Sequence, residues 1–326
     1  MKPDPRDWRP TATRARLEQR AAALRETRAF FAERRLLEVD TPQLVRHAVT
    51  DVNLHSFEVR LDGAEHAPRF LHTSPEYAMK RLLAAGSGDI WQLCHVFRGE
   101  EQGPLHNGEF ALIEWYRVGW TMTQLMAEVA ALVQRLAPAL AARPVSYLSY
   151  AEAIRQALGV DPLSGSDAAL RQAAQEQGFD AGLVRGCTRD ELLDLLMGAR
   201  VGPTLGRLGL CFVHRYPASQ AALAQLDPDD PRVALRFELY CEGVELANGF
   251  QELASATEQR ARFEADNRER ERRGLPRREA DVLLLAALEA GLPACAGVAV
   301  GFDRVLLLAT GAQQLSDVMA FPVDRA

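Results

Sequence analysis

The sequence has few cysteines, and they are isolated from one another. Five occur in 326 residues, none in a C-x-x-C pair, which argues against a disulfide framework or a zinc knuckle. Isolated cysteines fit a reducing compartment, where most serve as small core residues. We therefore predict interior packing for all of them, namely Cys94, Cys187, Cys211, Cys241 and Cys295.

Positive charge is not in excess, and apolar runs are short. Lys and Arg total 38 against 44 Asp and Glu, a formal charge of −6, whereas a general nucleic-acid binder usually has the opposite balance. The start, MKPDPRDWRP, has no signal-peptide pattern, and Glu289 and Asp303 interrupt the most apolar region. The composition predicts a soluble, cytoplasmic protein with no membrane partner, and 48% hydrophobic residues suffice for a large core.

The first third of the chain mixes helical and strand patterns. Apolar spacing predicts a helix over residues 14–37, with Thr13 as its cap. Strands are predicted at 57–61 and 69–73, around a turn at 62–63. A helix and a hairpin in one segment indicate that helices and strands share a domain.

A second helix and two β-hairpins follow. The segment SPEYAMKRLLAAG predicts a helix with Ser74 as cap and Pro75 at its first position. Residues 93–101 and 109–118 alternate like two strands, and the loop between them contains glycine and proline. Residues 236–250 repeat this hairpin pattern.

The middle of the chain is rich in Ala, Leu and Gln at helical spacing. We predict a helical insertion at about residues 122–205 within a single domain over 1–326. Residues 208–216 are typical of a buried strand, and 298–311 of a strand, a glycine and a helix. The fold class is therefore α+β.

The first hairpin contains residues suited to a nucleotide. Arg98 can neutralise a phosphate, Glu100 can accept from an adenine amino group, and Phe110 offers a flat face for a purine. An ordinary hairpin with solvated charges is the alternative for this pattern.

The second hairpin carries two carboxylates seven residues apart, Glu238 and Glu245. Converging carboxylates near phosphates usually hold Mg²⁺, which prefers oxygen ligands. Two solvated strand carboxylates are the alternative. Asn248 and Glu252 follow, and they can bind a polar and a cationic group respectively.

A third pattern closes the chain. Gly301 ends a strand and leaves room for a flat ligand, while Arg304 follows one step into a helix and can reach a terminal phosphate. Alone, this pattern is equally typical of a helix cap beside a surface charge.

Together and in this order, the three patterns resemble the catalytic domain of class II aminoacyl-tRNA synthetases, specifically the lysyl type. The helix leading to Pro42 looks like the first class motif, FRGEE to EWY like the second, and GFDR like the third. The resemblance covers about residues 14–326. It implies an antiparallel sheet flanked by helices, ATP and Mg²⁺ as cofactors, and a homodimer.

The resemblance also implies roles for individual residues. Arg98 and Arg304 would be catalytic, contacting the α- and γ-phosphates, and Glu238 and Glu245 would hold the metal. The implied ATP-binding set is Arg98, Gly99, Glu100, His106, Asn107, Phe110, Glu245, Leu246, Gly301 and Arg304. The implied amino-acid-binding set is Ser74, Pro75, Glu76, Glu114, Tyr116, Asn248, Phe250, Glu252 and Ala299.

The sequence departs from the lysyl pattern in three places. Only about a dozen residues precede the first helix, so we expect no anticodon-binding barrel. Ala299 replaces a typical glycine, which narrows the amino-acid pocket where the substrate amine lies, and Gly108 replaces the usual proline. The first two departures are similar to truncated lysyl-synthetase relatives that act on a protein. That likeness implies transfer of (R)-β-lysine or lysine to translation elongation factor P.

Two other functions fit parts of the pattern. A minimal synthetase would charge tRNA, but it needs a basic surface that the charge balance does not indicate. A noncatalytic paralogue would usually lose the motif arginines, and Arg98 and Arg304 are both present. The charged run at 265–279 is typical of an exposed helix with ion pairs, and a docking strip for an acceptor protein is its alternative.

Overall fold

The computed structural model describes residues 8–60, 67–100 and 103–326. Its helices are α1 Arg14–Glu33, α2 Glu76–Ala84, α3 Met122–Leu136, α4 Tyr150–Leu158, α5 Asp167–Glu176, α6 Ala181–Gly186, α7 Arg189–Leu196, α8 Ala256–Arg272, α9 Val282–Gly291 and α10 Phe302–Thr310. Its strands are β1 Leu37–Glu38, β2 Leu44–Val45, β3 Glu58–Val59, β4 Arg69–Leu71, β5 Ile90–Phe97, β6 Glu109–Val118, β7 Val145–Ser149, β8 Leu210–Pro217, β9 Val233–Cys241, β10 Val244–Gln251 and β11 Cys295–Gly301.

These elements form two compact units. Unit 1 comprises Met1–Trp120, Ala131–Pro138 and Ala254–Ala326, and unit 2 comprises Thr121–Ala130 and Ala139–Leu253. The prediction of a single domain over 1–326 stays a prediction, as does the helical insertion.

Unit 1 contains four neighbouring strands in the order β1-β5-β6-β11, with β1 and β5 parallel and the other pairs antiparallel. Helix α1 packs on one face, where the Phe31 ring stacks on Trp91 with centroids 4.5 Å apart. The other face carries Tyr116, which packs with Met79 of α2 and Leu284 of α9. A separate three-stranded sheet has the order β2-β4-β3.

Unit 2 contains the order β10-β9-β8-β7, with β7 and β8 parallel. The α4 to α7 region and these strands share one core, whose large buried members include Tyr150, Ile154, Leu170, Leu193, Leu196, Val213, Tyr216 and Tyr240. The tight β9–β10 turn uses Glu242 and Gly243, both with positive φ, at 51° and 78°. Such paired left-handed residues make a two-residue turn that matches strand twist.

The α+β class is confirmed, and both hairpins form where the sequence predicts them. The predicted antiparallel sheet is wrong in one respect, since each unit contains a parallel pair. The first helix ends at Glu33, four residues early, because the chain turns into the left-handed region at Arg35, with φ 60°. The predicted turn at 62–63 lies outside the described residues.

Two further boundaries differ from the predictions. Strand β7 interrupts the segment predicted as a helical insertion. Helix α2 begins at Glu76 with Pro75 as its N-cap residue, one position later than predicted, and the Glu76 N–H donates to Ser74 Oγ at 3.0 Å.

The charged run at 265–279 forms the ion pairs that were predicted. Within α8, Glu269 accepts from Arg272 and Arg273 at 2.6 and 2.7 Å. Beyond the helix end, Arg277 bonds Glu264 and Glu271 at 2.7 and 2.9 Å. Three arginines of the run thus pair with three glutamates, of which Glu264 directly precedes the run.

Candidate active site

In unit 1, one face of the four strands carries three of the predicted amino-acid-binding residues, Glu114, Tyr116 and Ala299. Side chains alternate along a strand, so Phe110, Glu114 and Tyr116 of β6 share a face. In register, Glu114 lies opposite Gln92 of β5 and Ala299 of β11. Gln92, Glu114 and Ala299 therefore form one row across three strands, which we call the Glu114 row.

Glu114 is a buried carboxylate held by two hydroxyl groups. Only 2% of the residue is exposed. Ser74 Oγ donates to its Oε2 at 2.7 Å, and the Tyr116 hydroxyl donates to its Oε1 at 2.7 Å. Both of these donors are neutral hydroxyl groups, and they fix the orientation of the carboxylate.

The start of α2 contributes a second carboxylate, and this one has a cationic partner. Lys80 Nζ donates to Glu76 Oε1 at 2.7 Å, one helical turn away. Lys80 is 1% exposed, so this is a buried ion pair next to Ser74 and Pro75. Lys80 was not among the predicted residues, although its i,i+4 spacing from Glu76 was a usable signal.

At the end of β5, Arg98 lies over the ring of Phe110. Its guanidinium carbon is 5.1 Å from the ring centroid, and its Nε donates to the Thr73 carbonyl at 3.4 Å. The Arg98 backbone N–H donates to the Gly108 carbonyl at 2.9 Å, which closes the base of the loop between β5 and β6. The hairpin thus brings Arg98 and Phe110 together.

Arg304 contacts the same loop from the first turn of α10. Its Nε donates to the Leu105 carbonyl at 3.3 Å, and its side chain fills the space beside Gly301. Arg98 and Arg304 therefore both approach the segment 105–110. The two guanidinium groups therefore do not lie on opposite sides of unit 1.

The loop is held by the Asn107 amide and by backbone N–H groups of Leu315 and Val323. Asn107 Nδ2 donates to the Glu109 carbonyl at 2.6 Å, and Asn107 Oδ1 accepts from the Val323 N–H at 3.1 Å. The Leu315 N–H donates to the Pro104 carbonyl at 2.8 Å. His106 is exposed on this loop. Asn107 therefore bonds to protein at both ends of its amide.

Glu100 lies at the outer end of the loop with its carboxylate exposed. Its φ is 64°, a left-handed conformation that is uncommon outside glycine. Its Oε2 is 3.5 Å from His55 Nε2, and the Gly99 N–H donates to the His55 carbonyl at 2.7 Å. These residues border an open cavity of about 460 Å³, which Asn53 and Arg273 also line.

Two titratable groups near the Glu114 row are kept neutral. Burial raises the pKa of the Cys94 thiol to about 12, and nearby Glu114 adds to that shift. Burial lowers the pKa of His72, although its hydrogen bond to the His95 carbonyl opposes the shift. Four of the five cysteines are buried, and Cys187 is partly exposed.

In unit 2, the two predicted metal carboxylates lie on the neighbouring strands β9 and β10. Tyr240 lies opposite Glu245, and its hydroxyl donates to Glu238 Oε2 at 2.6 Å. Arg236 donates to the other Glu238 oxygen. Burial disfavours the charge of Arg236, but Glu238, Tyr216 and Glu245 outweigh that effect and raise its pKa.

Three more predicted residues, Leu246, Asn248 and Phe250, lie on β10, and Glu252 directly follows that strand. Asn248 lies opposite Glu238 and accepts from Arg236 Nε at 3.2 Å. Phe250 packs with a small alanine cluster, and Glu252 and Leu246 are buried, with 1% and 2% exposure. Sequence reasoning missed Arg236, the cation that joins Glu238 to Asn248.

The donor set of unit 2 fits Mg²⁺ only together with a phosphate ligand. Among the described residues, no group of three or more His, Cys, Asp or Glu side chains could hold a metal ion. Mg²⁺ bound to nucleotides commonly uses one or two carboxylates and completes its shell with phosphate and water oxygens. Glu238 and Glu245 supply such a pair.

The chain belongs to a family of class II synthetases, since the family model described as tRNA synthetases class II (D, K and N) matches residues 4–325. The predicted class II fold is thereby confirmed. The chain is 50% identical over 325 residues to the elongation factor P–(R)-β-lysine ligase of Erwinia tasmaniensis, and the match covers 99% of each chain. Proteins of the same name from Pseudoalteromonas translucida and Klebsiella pneumoniae are 51% and 49% identical, over 98% of each chain. Among the described residues, no helix is both long enough and apolar enough to span a bilayer.

Proposed function

We propose that this protein uses ATP to activate (R)-β-lysine, or lysine, as an aminoacyl adenylate, and transfers the acyl group to the ε-amine of a lysine on elongation factor P. The observation that carries the proposal is the buried Glu114 carboxylate, held by Ser74 and Tyr116 on the strand face that also carries Phe110. The near-full-length similarity to ligases of that name supports the choice of substrate and acceptor.

In the first step, a substrate carboxylate oxygen attacks the α-phosphorus of ATP. The new O–P bond forms as the bond to the bridging oxygen of the β-phosphate breaks, and pyrophosphate leaves. Arg98 stabilises the charge that develops on the α-phosphate, and Arg304 binds the γ-phosphate of the leaving pyrophosphate. Positioning and electrostatics supply the catalysis, so no nucleophilic side chain is required.

In the second step, the acceptor amine attacks the acyl carbon of the adenylate. The new C–N bond replaces the C–O bond to AMP, and the amine loses one proton to solvent. Glu238 and Glu245 would hold Mg²⁺, which supplies charge neutralisation to the phosphates when bound. Phe110 would stack on adenine, with Gly99, Glu100, His106 and Leu246 around the nucleotide.

The proposed amino-acid site uses acidic groups because a desolvated cation needs charged or hydrogen-bonding partners. Glu76 would accept from the amine near the substrate carboxylate, and Tyr116 and Glu252 from the side-chain ammonium. Asn248, Phe250 and Pro75 would border the chain. Ala299 lies opposite Glu114 on β11. Its methyl group would limit how deeply the amine near the substrate carboxylate enters the pocket.

Pyrophosphate exchange tests the activation step. Arg98→Ala should abolish exchange that depends on (R)-β-lysine or lysine, because the α-phosphate loses its cation. Near-normal exchange in this variant would show that Arg98 does not belong to the proposed site. Arg14, an exposed arginine at the start of α1, provides the matched control, and Arg14→Ala should leave exchange unchanged.

The acceptor is tested by mass spectrometry of elongation factor P after incubation with enzyme, ATP and labelled (R)-β-lysine. One added lysyl group on one lysine is the expected result. Label found on bulk tRNA instead would favour aminoacylation of RNA.

We also propose a homodimer, and light scattering that gives a monomer mass would contradict it.

A further inference from the structure

A buried carboxylate lies directly before Arg304, and the proposed function does not use it. Asp303 occupies the first turn of α10 and is 1% exposed. Its side chain has partners in two other elements. Oδ2 accepts from the Ala111 N–H of β6 at 2.7 Å, and Oδ1 accepts from the guanidinium of Arg20 in α1. The Asp303 carboxylate therefore joins three elements of unit 1.

The bond to β6 continues the sheet where β11 stops. Gly301, the last residue of β11, lies opposite Leu112 of β6. The chain then turns into α10, and the Asp303 carboxylate accepts the N–H of Ala111, the next residue of β6 beyond that pair. A buried backbone N–H needs such an acceptor. This bond fixes the start of α10 against β6, next to Phe110.

Arg20 holds the other side of the Asp303 carboxylate from α1. Its guanidinium carbon lies 5.0 Å from the centroid of the Phe302 ring, and its Nη1 also donates to the Val318 carbonyl at 3.4 Å. The Arg20 side chain is 19% exposed and that of Asp303 is 2% exposed, so the pair is largely shielded from water. Removing one partner of a shielded pair leaves the other charge uncompensated. The position of Asp303 therefore depends on Arg20.

Arg304 is the residue that this fixed helix start presents to the proposed nucleotide site. It follows Asp303 directly, and its Nε donates to the Leu105 carbonyl at 3.3 Å. A guanidinium pairs with a phosphate only in a narrow range of positions, because its N–H groups form a rigid fork. A shift of the α10 start would therefore move Arg304 away from its place beside Arg98 and Phe110, which the β5–β6 hairpin positions.

We infer that Asp303, anchored by Arg20, is a positioning residue that sets the place of Arg304 at the γ-phosphate of ATP. This inference rests on the proposed function, in which Arg304 binds that phosphate. The effect of Asp303 and Arg20 passes through the start of α10 and needs no contact with ATP. Loss of the anchor should therefore weaken the binding of ATP and spare the binding of AMP, which has no γ-phosphate.

Arg20→Met removes the anchor without altering a residue of the proposed site. In pyrophosphate exchange, its KM for ATP should rise about tenfold or more, because a misplacement of about 1 Å can cost more than that. Its KM for (R)-β-lysine or lysine should stay unchanged. Arg16→Met is the matched control, since Arg16 lies one turn earlier in α1 and donates to the carbonyl of Thr310, the last residue of α10. A wild-type KM for ATP in Arg20→Met, or an equal rise in Arg16→Met, would overturn the inference.

Binding without turnover separates positioning from a general loss of structure. Calorimetric titration in the presence of Mg²⁺ should give Arg20→Met a raised Kd for ATP and a wild-type Kd for AMP. Equal losses for both nucleotides would assign Arg20 to the structure of the whole site and overturn the inference. If the wild-type protein itself does not bind ATP, the proposed function fails, and that outcome is distinct from failure of the Arg20 anchor.

A double variant keeps the inference testable if Arg20→Met does not fold. Arg20→Met combined with Asp303→Asn removes both charges, so no buried carboxylate is left uncompensated. The asparagine oxygen still accepts from the Ala111 N–H, but the link to α1 is gone. The KM for ATP should rise about threefold or more, with a smaller rise in Arg20→Lys, which keeps a cation for Asp303. A wild-type KM for ATP in the double variant would contradict the role of the anchor.

Discussion

The two units hold a buried carboxylate in opposite ways. In unit 1, Glu114 accepts from two neutral hydroxyl groups, those of Ser74 and Tyr116. In unit 2, Glu238 accepts from the guanidinium of Arg236 as well as from a tyrosine hydroxyl. A hydroxyl orients a carboxylate, whereas a guanidinium also offsets its charge. Under the proposed function, Glu114 would serve as a partner of the cationic substrate. Under the proposed function, Glu238 would hold a metal ion only together with another anion, such as a phosphate.

The largest effect on stability should come from removing Arg236, the cation that pairs with Glu238 in unit 2. Arg236→Met leaves Glu238 buried without its counter-charge and should lower the free energy of unfolding by about 3–5 kcal/mol. Urea unfolding of the full chain measures this loss. The double variant Arg236→Met with Glu238→Gln should recover much of it. A loss below about 1 kcal/mol in the single variant would show that Arg236 does not balance Glu238.

The matching change in unit 1 should affect activity and leave stability nearly unchanged. Glu114→Gln keeps an acceptor oxygen for one of the two hydroxyls of Ser74 and Tyr116, its NH2 group can donate to the other, and the negative charge is removed. We expect lysine-dependent pyrophosphate exchange to fall about a hundredfold or more, because the substrate ammonium loses its charged partner. Thermal unfolding provides the control. A large drop in melting temperature with intact exchange would reverse the contrast between the two units.

A smaller effect should appear in the pH dependence of stability. The pKa of His72 is lowered from 6.5, chiefly by burial, so the unfolded chain takes up a proton before the folded one as pH falls. Stability from this site is present above pH 6.5 and declines below it. His72→Gln keeps an N–H donor and should flatten the curve of melting temperature against pH in that range.

His214 allows the same measurement in unit 2. Its pKa is lowered by burial and by the neighbouring Arg215, so the sign of its pH dependence is the same. His214→Gln should flatten the same region of the curve. If neither variant changes the slope below pH 6.5, burial does not keep these imidazoles neutral.

The smallest effect concerns the loop between β5 and β6. A Cβ at Gly108 would make only ordinary contacts, 3.5 Å from the Arg98 carbonyl oxygen and 3.6 Å from the Phe57 ring. Gly108→Pro should stabilise the protein by about 0.4–1 kcal/mol by restricting the unfolded chain. Exchange activity should be retained. Lower stability would mean that the backbone at Gly108 cannot take the φ of proline.

Local patterns predicted both hairpins because their signals lie within a few residues of each turn. The β9–β10 turn forms at Glu242 and Gly243, as the glycine in that segment indicates. Strand β7 was missed because its sequence, VSYLS, is short and is stabilised by parallel pairing with β8, about sixty residues away along the chain. Its neighbours in sequence gave no sign of that pairing.

The predicted site residues of unit 1 cluster in the structure, but the residues that support them had little local signal. Gln92 and Thr41 come together because β5 lies beside the segment after β1, a contact over 51 residues. Arg236 matters because it donates both to Glu238, two residues along the same strand, and to Asn248 on the partner strand of the hairpin. Sequence shows which groups can carry charge, whereas their partners depend on tertiary packing.

The hydrogen bond from Val323 to Asn107 has a practical consequence for handling the protein. Residues near position 323 hold the loop that Arg98 and Arg304 contact, so a purification tag attached there would disturb the loop that we propose binds ATP. Assays that compare preparations should therefore carry the tag at the same end.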